Sequence, residues 1–373
     1  MLFGQLAWRV WGPNLLAEAR SSSRFYSSQH QIKDDGVRLL LLELKVQDVR
    51  DLRQEREMRY SLVSRFQGAL VGTVLGERAR AGGDRPLKGE QRSGLQAQPE
   101  PISAIADRLT RGAQALVEGR TVIPDVWRSL LAEPLPGENE PPSAALAIAL
   151  ALPVFLVFHG SPYERSSALE AIAAARPDPE FLVGATVWLE AIALGLTDRL
   201  EPPTLLAHGL EALPDSPDSA SLAPLRQALN QAQICLSTQK PLNQTERALT
   251  ALNLGPTGGT AKAIALAAAH FLSAPDNPAL LLGRLQPPTA DPRAVGALAG
   301  GLSGLYNGLS GLPILSRLAL AASPSGPTDQ LSTLKTAGAA LAGVWAGAMD
   351  PTEFAAAGQS GLAIAAARVI RPR

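Results

Sequence analysis

Apolar residues recur at helical spacing through most of the chain, and no stretch alternates convincingly between apolar and polar positions. Helices place residues i, i+3 and i+4 on one face, whereas strands alternate with a period of two. The pattern therefore predicts an all-α protein with a single compact multi-helix domain and no clean internal repeat. The predicted helices are 61–75, 102–118, 124–132, 143–158, 163–175, 179–196, 203–213, 222–237, 244–254, 261–273, 278–285, 291–307, 314–321, 329–348 and 351–369.

Glycines recur every four residues in two of these helices. The first series is Gly68, Gly72 and Gly76, and the second is Gly296, Gly300, Gly304 and Gly308. A glycine in a helix interior costs about 1 kcal/mol relative to alanine. That loss persists where the missing side chains allow two helix backbones to approach closely. We therefore predict that the first helix and this late helix are in direct contact.

Two stretches between the helices lack an apolar period. Residues 79–101 are rich in Gly, Arg, Gln and Pro, and residues 134–142 are rich in proline and acidic residues. Both compositions are typical of loops.

The segment 1–57 is excluded from the predicted domain, which spans 58–373. Its first 33 residues contain four basic residues and one acid, and they end in a serine-rich run. Such a composition is typical of an organellar transit peptide, which favours a mitochondrial location. The alternative is a start codon placed too far upstream, with Met58 as the true start and a cytoplasmic location. We favour the second alternative.

Charge and composition restrict the classes of partner. Lys and Arg total 34, as do Asp and Glu, so no global charge indicates binding to nucleic acid or an anionic membrane. The longest apolar run, 144–158, is shorter than the ~20 residues that a bilayer span needs. The single cysteine, Cys235, excludes an intramolecular disulfide and is predicted to be buried. Histidines show no metal-ligand spacing. The oligomeric state is left open.

Four segments carry a resemblance to a known family. The first glycine series belongs to the run RFQGALVGTVLGE at 65–77, which resembles the opening of the ADP-ribosylglycohydrolases. The segment 296–313, with its second glycine series and a terminal Leu-Pro, is similar to a later small-residue helix of that family. Residues 178–190 resemble its mid-chain helix, and 340–347 its C-terminal helix. The resemblance covers most of 58–373.

This resemblance implies an all-α fold, a binuclear magnesium site and hydrolysis of an ADP-ribose glycosidic bond. Magnesium requires oxygen ligands in a near-octahedral array, mostly carboxylates and waters. The family supplies carboxylates from three segments, and this chain departs from the pattern in each of them. Glu77 stands where the family has Asp, and 102–105 replaces a Thr-Asp-Asp-Thr motif. In the third segment Asp291 is kept, whereas Arg293 replaces the second Asp.

The candidate catalytic and metal-binding residues are therefore Glu77 and Asp291, with Arg293 as a ligand-binding residue. Our first hypothesis is that an Arg–carboxylate cluster replaces the metal site. The protein would then be impaired in catalysis, need no cofactor and keep a pocket for ADP-ribose or a related nucleotide. A second is an active hydrolase in which Glu77, Asp291 and Asp107 hold Mg²⁺. A third is a non-catalytic helical scaffold. Whether the chain is an enzyme stays open at this point.

Overall fold

The computed structural model describes residues 60–81, 103–136, 138–214, 222–255, 258–285, 291–322 and 329–347. Within these ranges the chain forms α-helices and one short 3₁₀ helix, and it contains no strand, which confirms the all-α prediction. The extension 1–57, the predicted helix 351–369 and most of the predicted loop 79–101 lie outside the described residues.

The described helices follow one another with short connections. They are α1 (Leu62–Ala81), α2 (Ala104–Gly119), α3 (Pro124–Ala132), α4 (Ala144–Leu150), α5 (Leu152–Val157), α6 (Pro162–Ala175), α7 (Pro179–Leu196), a 3₁₀ helix (Pro202–Thr204), α8 (Leu205–Glu211), α9 (Leu222–Ser237), α10 (Leu242–Thr250), α11 (Gly258–Ser273), α12 (Pro278–Arg284), α13 (Pro292–Gly311), α14 (Ile314–Ala321) and α15 (Gln330–Ala346).

Polar caps explain why many of these helices begin where the sequence predicts. The residue before the helix accepts a hydrogen bond from a backbone N–H of the first turn, which satisfies a donor that has no intrahelical partner. Ser161 forms a complete capping box with Glu164 before α6. The other side-chain caps are Ser103, Ser143, Asp178, Asn277, Asp291 and Asp329.

The prediction of one continuous helix over 143–158 is wrong. The structure has two helices there, α4 and α5, separated at Ala151. Pro153 has no N–H to donate, and its ring clashes with the carbonyl four residues earlier, so the helix is interrupted. The prolines at the start of 203–213 likewise give a short 3₁₀ turn before α8.

The two glycine-rich helices, α1 and α13, pack against each other backbone to backbone, as predicted. An ideal Cβ on Gly72 would lie 2.2 Å from the carbonyl oxygen of Gly300, and one on Gly76 would lie 1.9 Å from that of Gly296. Such distances leave room for hydrogen only. Because the glycine numbers rise along α1 as their partners' numbers fall along α13, the two helices are antiparallel. The C-terminal end of α1 therefore lies beside the N-terminal end of α13.

The remaining helices bury their apolar faces around this pair. Large side chains without solvent exposure include Phe66 of α1, Phe155 of α5 and Phe271 of α11. Cys235 is also buried, which confirms its prediction. One described helix, α7, is long and apolar enough to cross a membrane, and 67% of that stretch is buried inside the domain.

Candidate functional site

Three segments that are far apart in the sequence meet at Glu77. Arg293, in the first turn of α13, donates to Glu77 Oε1 from Nε at 3.0 Å, and its Nη2 lies 2.9 Å from the same oxygen. Ser103, the N-cap of α2, donates from Oγ to Glu77 Oε2 at 3.1 Å. Glu77 is 5% exposed, so both oxygens of a buried carboxylate have partners. The antiparallel packing of α1 on α13 places Glu77 and Arg293 together.

Asp291 lies at the same end of α13 but has different partners. Its Oδ1 accepts from the backbone N–H of Ala294 at 3.0 Å, and its Oδ2 accepts from the hydroxyl of Ser143. Ser143 in turn caps α4 by accepting from Leu146 N at 3.1 Å. Asp291 thus links the starts of α13 and α4. The expected cluster of Arg293 with both acids is found for Glu77 but not for Asp291.

A third carboxylate, that of Glu138, joins the site from the segment between α3 and α4. Arg293 donates to Glu138 Oε1 from Nη1, the edge of the guanidinium that Glu77 leaves free. The Glu138 side chain is 39% exposed, whereas that of Glu77 is 7% exposed. Sequence reasoning marked 134–142 as an acid-rich loop but singled out no residue in it. Its acidity was the only signal for Glu138.

Two arginines hold the ends of this segment. Arg108 of α2 donates to the carbonyl oxygens of Leu130 at 3.0 Å and Pro134 at 2.7 Å. Arg176 donates to those of Leu131 at 2.8 Å and Pro142 at 3.1 Å. Burial lowers the pKa of the Arg108 guanidinium, because desolvation disfavours its charge. Its carbonyl partners satisfy the buried donors.

Arg176 stands where the resemblance implies a histidine before the mid-chain helix. Besides the two carbonyl oxygens, it contacts the carboxylate of Asp178 at 3.4 Å and lies over the ring of Phe181. These contacts tie the start of α7 to both ends of the acid-rich segment. Arg176 therefore has a positioning role in the fold of this site.

Asp107, the further acid proposed from the sequence, is not part of this group. It lies on the exposed side of α2 and pairs with Arg111 one turn later at 2.9 Å. Both side chains are about half exposed, so the pair contributes little to stability.

A surface cavity of about 450 Å³ opens beside Arg293. Its walls come from the acid-rich segment, from the start of α4 and from the residues around the start of α13. The lining residues are Glu138, Asn139, Glu140, Pro141, Pro142, Ser143, Leu146, Asp291 and Arg293. Arg293 supplies the only positive charge among these lining residues, which include three carboxylates.

The residues present do not fit a binuclear magnesium centre. A metal on Glu77 would have to displace either Arg293 or Ser103, since these two residues occupy both carboxylate oxygens. Among the described residues, no group of three or more His, Cys, Asp or Glu side chains is arranged to hold a metal ion. The guanidinium takes the place beside Glu77 that a divalent cation would require.

Comparison with known proteins assigns the family. The model of the ADP-ribosylglycohydrolase family matches residues 92–345, a region that includes Ser103, Asp291 and Arg293 but not the glycines of α1. A search of curated proteins found no match. One similar solved structure is titled "ADP-ribosylglycohydrolase-related protein complex". It is 18% identical, covers 77% of this chain and 99% of its own, and has a TM-score of 0.49.

The family match spans more than half of the chain, and the described helices give the all-α architecture that the resemblance implies. This family generally depends on Mg²⁺. The chain belongs to the ADP-ribosylglycohydrolase family.

Proposed function

We propose that this protein is a family member that does not carry out metal-dependent hydrolysis and that binds an ADP-ribose-type ligand in the cavity beside Arg293. The observation that carries the proposal is the contact of Arg293 with Glu77 through both Nε and Nη2. A fixed cation therefore neutralises the carboxylate that would otherwise be the first metal ligand of the site.

The electrostatic effect of this guanidinium on a metal is large. Two unit charges ~4 Å apart interact by about 4 kcal/mol at an effective dielectric constant of 20, and a divalent cation doubles that repulsion. Arg293 cannot lose its charge at accessible pH, because an arginine guanidinium stays protonated. A metal could bind only after Arg293 had left Glu77, and the contact with Glu138 also opposes that movement.

The cavity supports the ligand-binding part of the proposal. Its volume of about 450 Å³ lies within the range of small-molecule sites, roughly 300–1,000 Å³. Arg293 offers a planar set of donors suited to phosphate or carboxylate oxygens. The neighbouring carboxylates of Glu140 and Asp291 oppose a highly charged anion, so we expect weak affinity.

Titration with Mg²⁺ or Mn²⁺ by calorimetry is expected to show no saturable binding at micromolar concentrations. The matched variant combines Ser103→Asp, Ala104→Asp and Arg293→Asp, which supply acids where the family has them. Metal binding by this variant alone would show that the helical framework still holds the geometry of the site. Micromolar binding by the wild-type protein would overturn the proposal and favour the active hydrolase.

ADP-ribose without metal is expected to raise the melting temperature of the wild-type protein. A ligand present at ten times its Kd stabilises by about 1.4 kcal/mol, which corresponds to roughly 2–4 °C for a domain of ~150–250 residues and less for a larger one. The variant Arg293→Gln should lose most of this increase. Release of ADP-ribose from a modified protein only in the presence of Mg²⁺ would contradict the proposal. An unchanged melting temperature would instead support the scaffold hypothesis.

A further inference from the structure

Arg293 contacts two carboxylates that differ strongly in their surroundings. Glu77 is buried and is also held by Ser103, so it is a fixed partner. Glu138 is 39% exposed in its side chain and binds the guanidinium edge that faces the cavity. An exposed carboxylate in contact with an arginine pays little to exchange with another anion, because exposed ion pairs are worth only ~0.2–1 kcal/mol.

The backbone on either side of Glu138 is fixed, while Glu138 itself is not. Arg108 binds the carbonyl oxygen of Pro134, and Arg176 binds that of Pro142. The segment 134–142 is thus anchored at both ends by buried or half-buried arginines. Arg293 is the partner that holds its middle. This arrangement positions one carboxylate over the cavity and leaves it replaceable.

We infer that the Nη1 edge of Arg293 is an anion subsite and that Glu138 occupies it in the free protein. A phosphate or carboxylate group of a ligand would take the place of Glu138 on this edge, while Nε and Nη2 stay on Glu77. The inference deepens the proposed ligand-binding function and rests on it for the identity of the ligand class. It does not depend on whether a metal binds.

The charges around the subsite define what it can accept. Arg293 and Glu77 neutralise each other, so exchanging Glu138 for a singly charged anion leaves the local charge unchanged. Glu140 and Asp291 line the same cavity and repel further negative charge. Removing Glu138 therefore has two effects on an incoming anion: it frees a donor edge and it removes one nearby negative charge.

Modification of Arg293 by phenylglyoxal, followed by peptide mass spectrometry, measures access to this edge in the full-length protein. Glu138→Gln is the test variant, and Glu140→Gln is the matched control. Both remove one carboxylate from the same cavity, but only Glu138 contacts the guanidinium. We expect Glu138→Gln to speed modification of Arg293 about two- to fivefold, the range that loss of an exposed ion pair gives, and Glu140→Gln to change it less.

Inorganic pyrophosphate is the anion probe. We expect it to slow modification of Arg293 more in Glu138→Gln than in Glu140→Gln. Equal rates of modification in the two variants, or equal protection by pyrophosphate, would overturn the subsite. Melting curves establish that both variants are folded. Failure of the proposed function would be seen differently, as micromolar metal binding or as metal-dependent hydrolysis by the wild-type protein.

Discussion

Replacing Gly72 by alanine is expected to destabilise the domain by at least ~2 kcal/mol. The added Cβ would lie 2.2 Å from the carbonyl oxygen of Gly300, and that obstacle is helix backbone rather than a flexible side chain. Helices α1 and α13 would have to separate along their shared face, which opens gaps among the buried residues around them. Overpacking costs about 1–3 kcal/mol and occasionally more, which exceeds the ~1 kcal/mol gained in helix propensity. Urea unfolding followed by circular dichroism measures the loss.

Gly283→Ala is the matched control for this substitution. Gly283 also lies in a helix, α12, but an added Cβ there would meet nothing within 4 Å. Its replacement should leave stability unchanged or raise it by up to ~1 kcal/mol. If Gly72→Ala were as stable as Gly283→Ala, close contact between the two backbones could not be the reason for the glycine series.

Arg293→Ala is expected to be the second most damaging change, with a loss of about 2–3 kcal/mol. It leaves Glu77, whose side chain is 7% exposed, without its cationic partner. Breaking a buried pair costs ~3–5 kcal/mol, mostly because the remaining charge stays desolvated. The Arg293 side chain is 29% exposed, so water screens part of the interaction and the lower figure applies. Denaturant unfolding at neutral pH is the measurement.

A double-mutant cycle with Glu77→Gln identifies the cause of that loss. If the unpaired charge of Glu77 is responsible, Arg293→Ala should cost much less in the Glu77→Gln background. Arg128→Ala provides an exposed reference, since its pair with Asp125 leaves the side chains 56% and 85% exposed. It should change stability by less than ~1 kcal/mol. A cost of Arg293→Ala as small as that of Arg128→Ala would exclude a buried ion pair at Glu77.

The helices of this protein could be predicted because their signals are local. Apolar spacing, prolines and polar caps lie within a few residues of the boundaries that they specify. The described helix starts fall within three residues of the predicted ones. Pro153 was visible in the sequence, yet the continuous apolar run around it favoured one helix. A buried segment gives little periodic contrast, so the break at α4 and α5 was missed.

The candidate site was only partly predictable. Glu77, Asp291 and Arg293 stood out because they fall where the resemblance implies metal ligands, and the structure brings Glu77 and Arg293 into contact. The sequence could not separate the roles of Asp291 and Arg293, which are two residues apart. One is a cap directed at the start of its own helix, and the other crosses to α1. That difference depends on how α13 is rotated against its neighbours.

The sequence alone determined that glycines line one face of α1 and of α13, because a spacing of four residues has that consequence on any helix. It also fixed the chemical contrast of an arginine at a position where related proteins carry an acid. Only the tertiary structure decided which carboxylates that arginine meets. Glu77 lies 216 residues away from it and Glu138 lies 155 residues away. Contacts over such separations are set by the direction and register of packed helices, which no local pattern encodes.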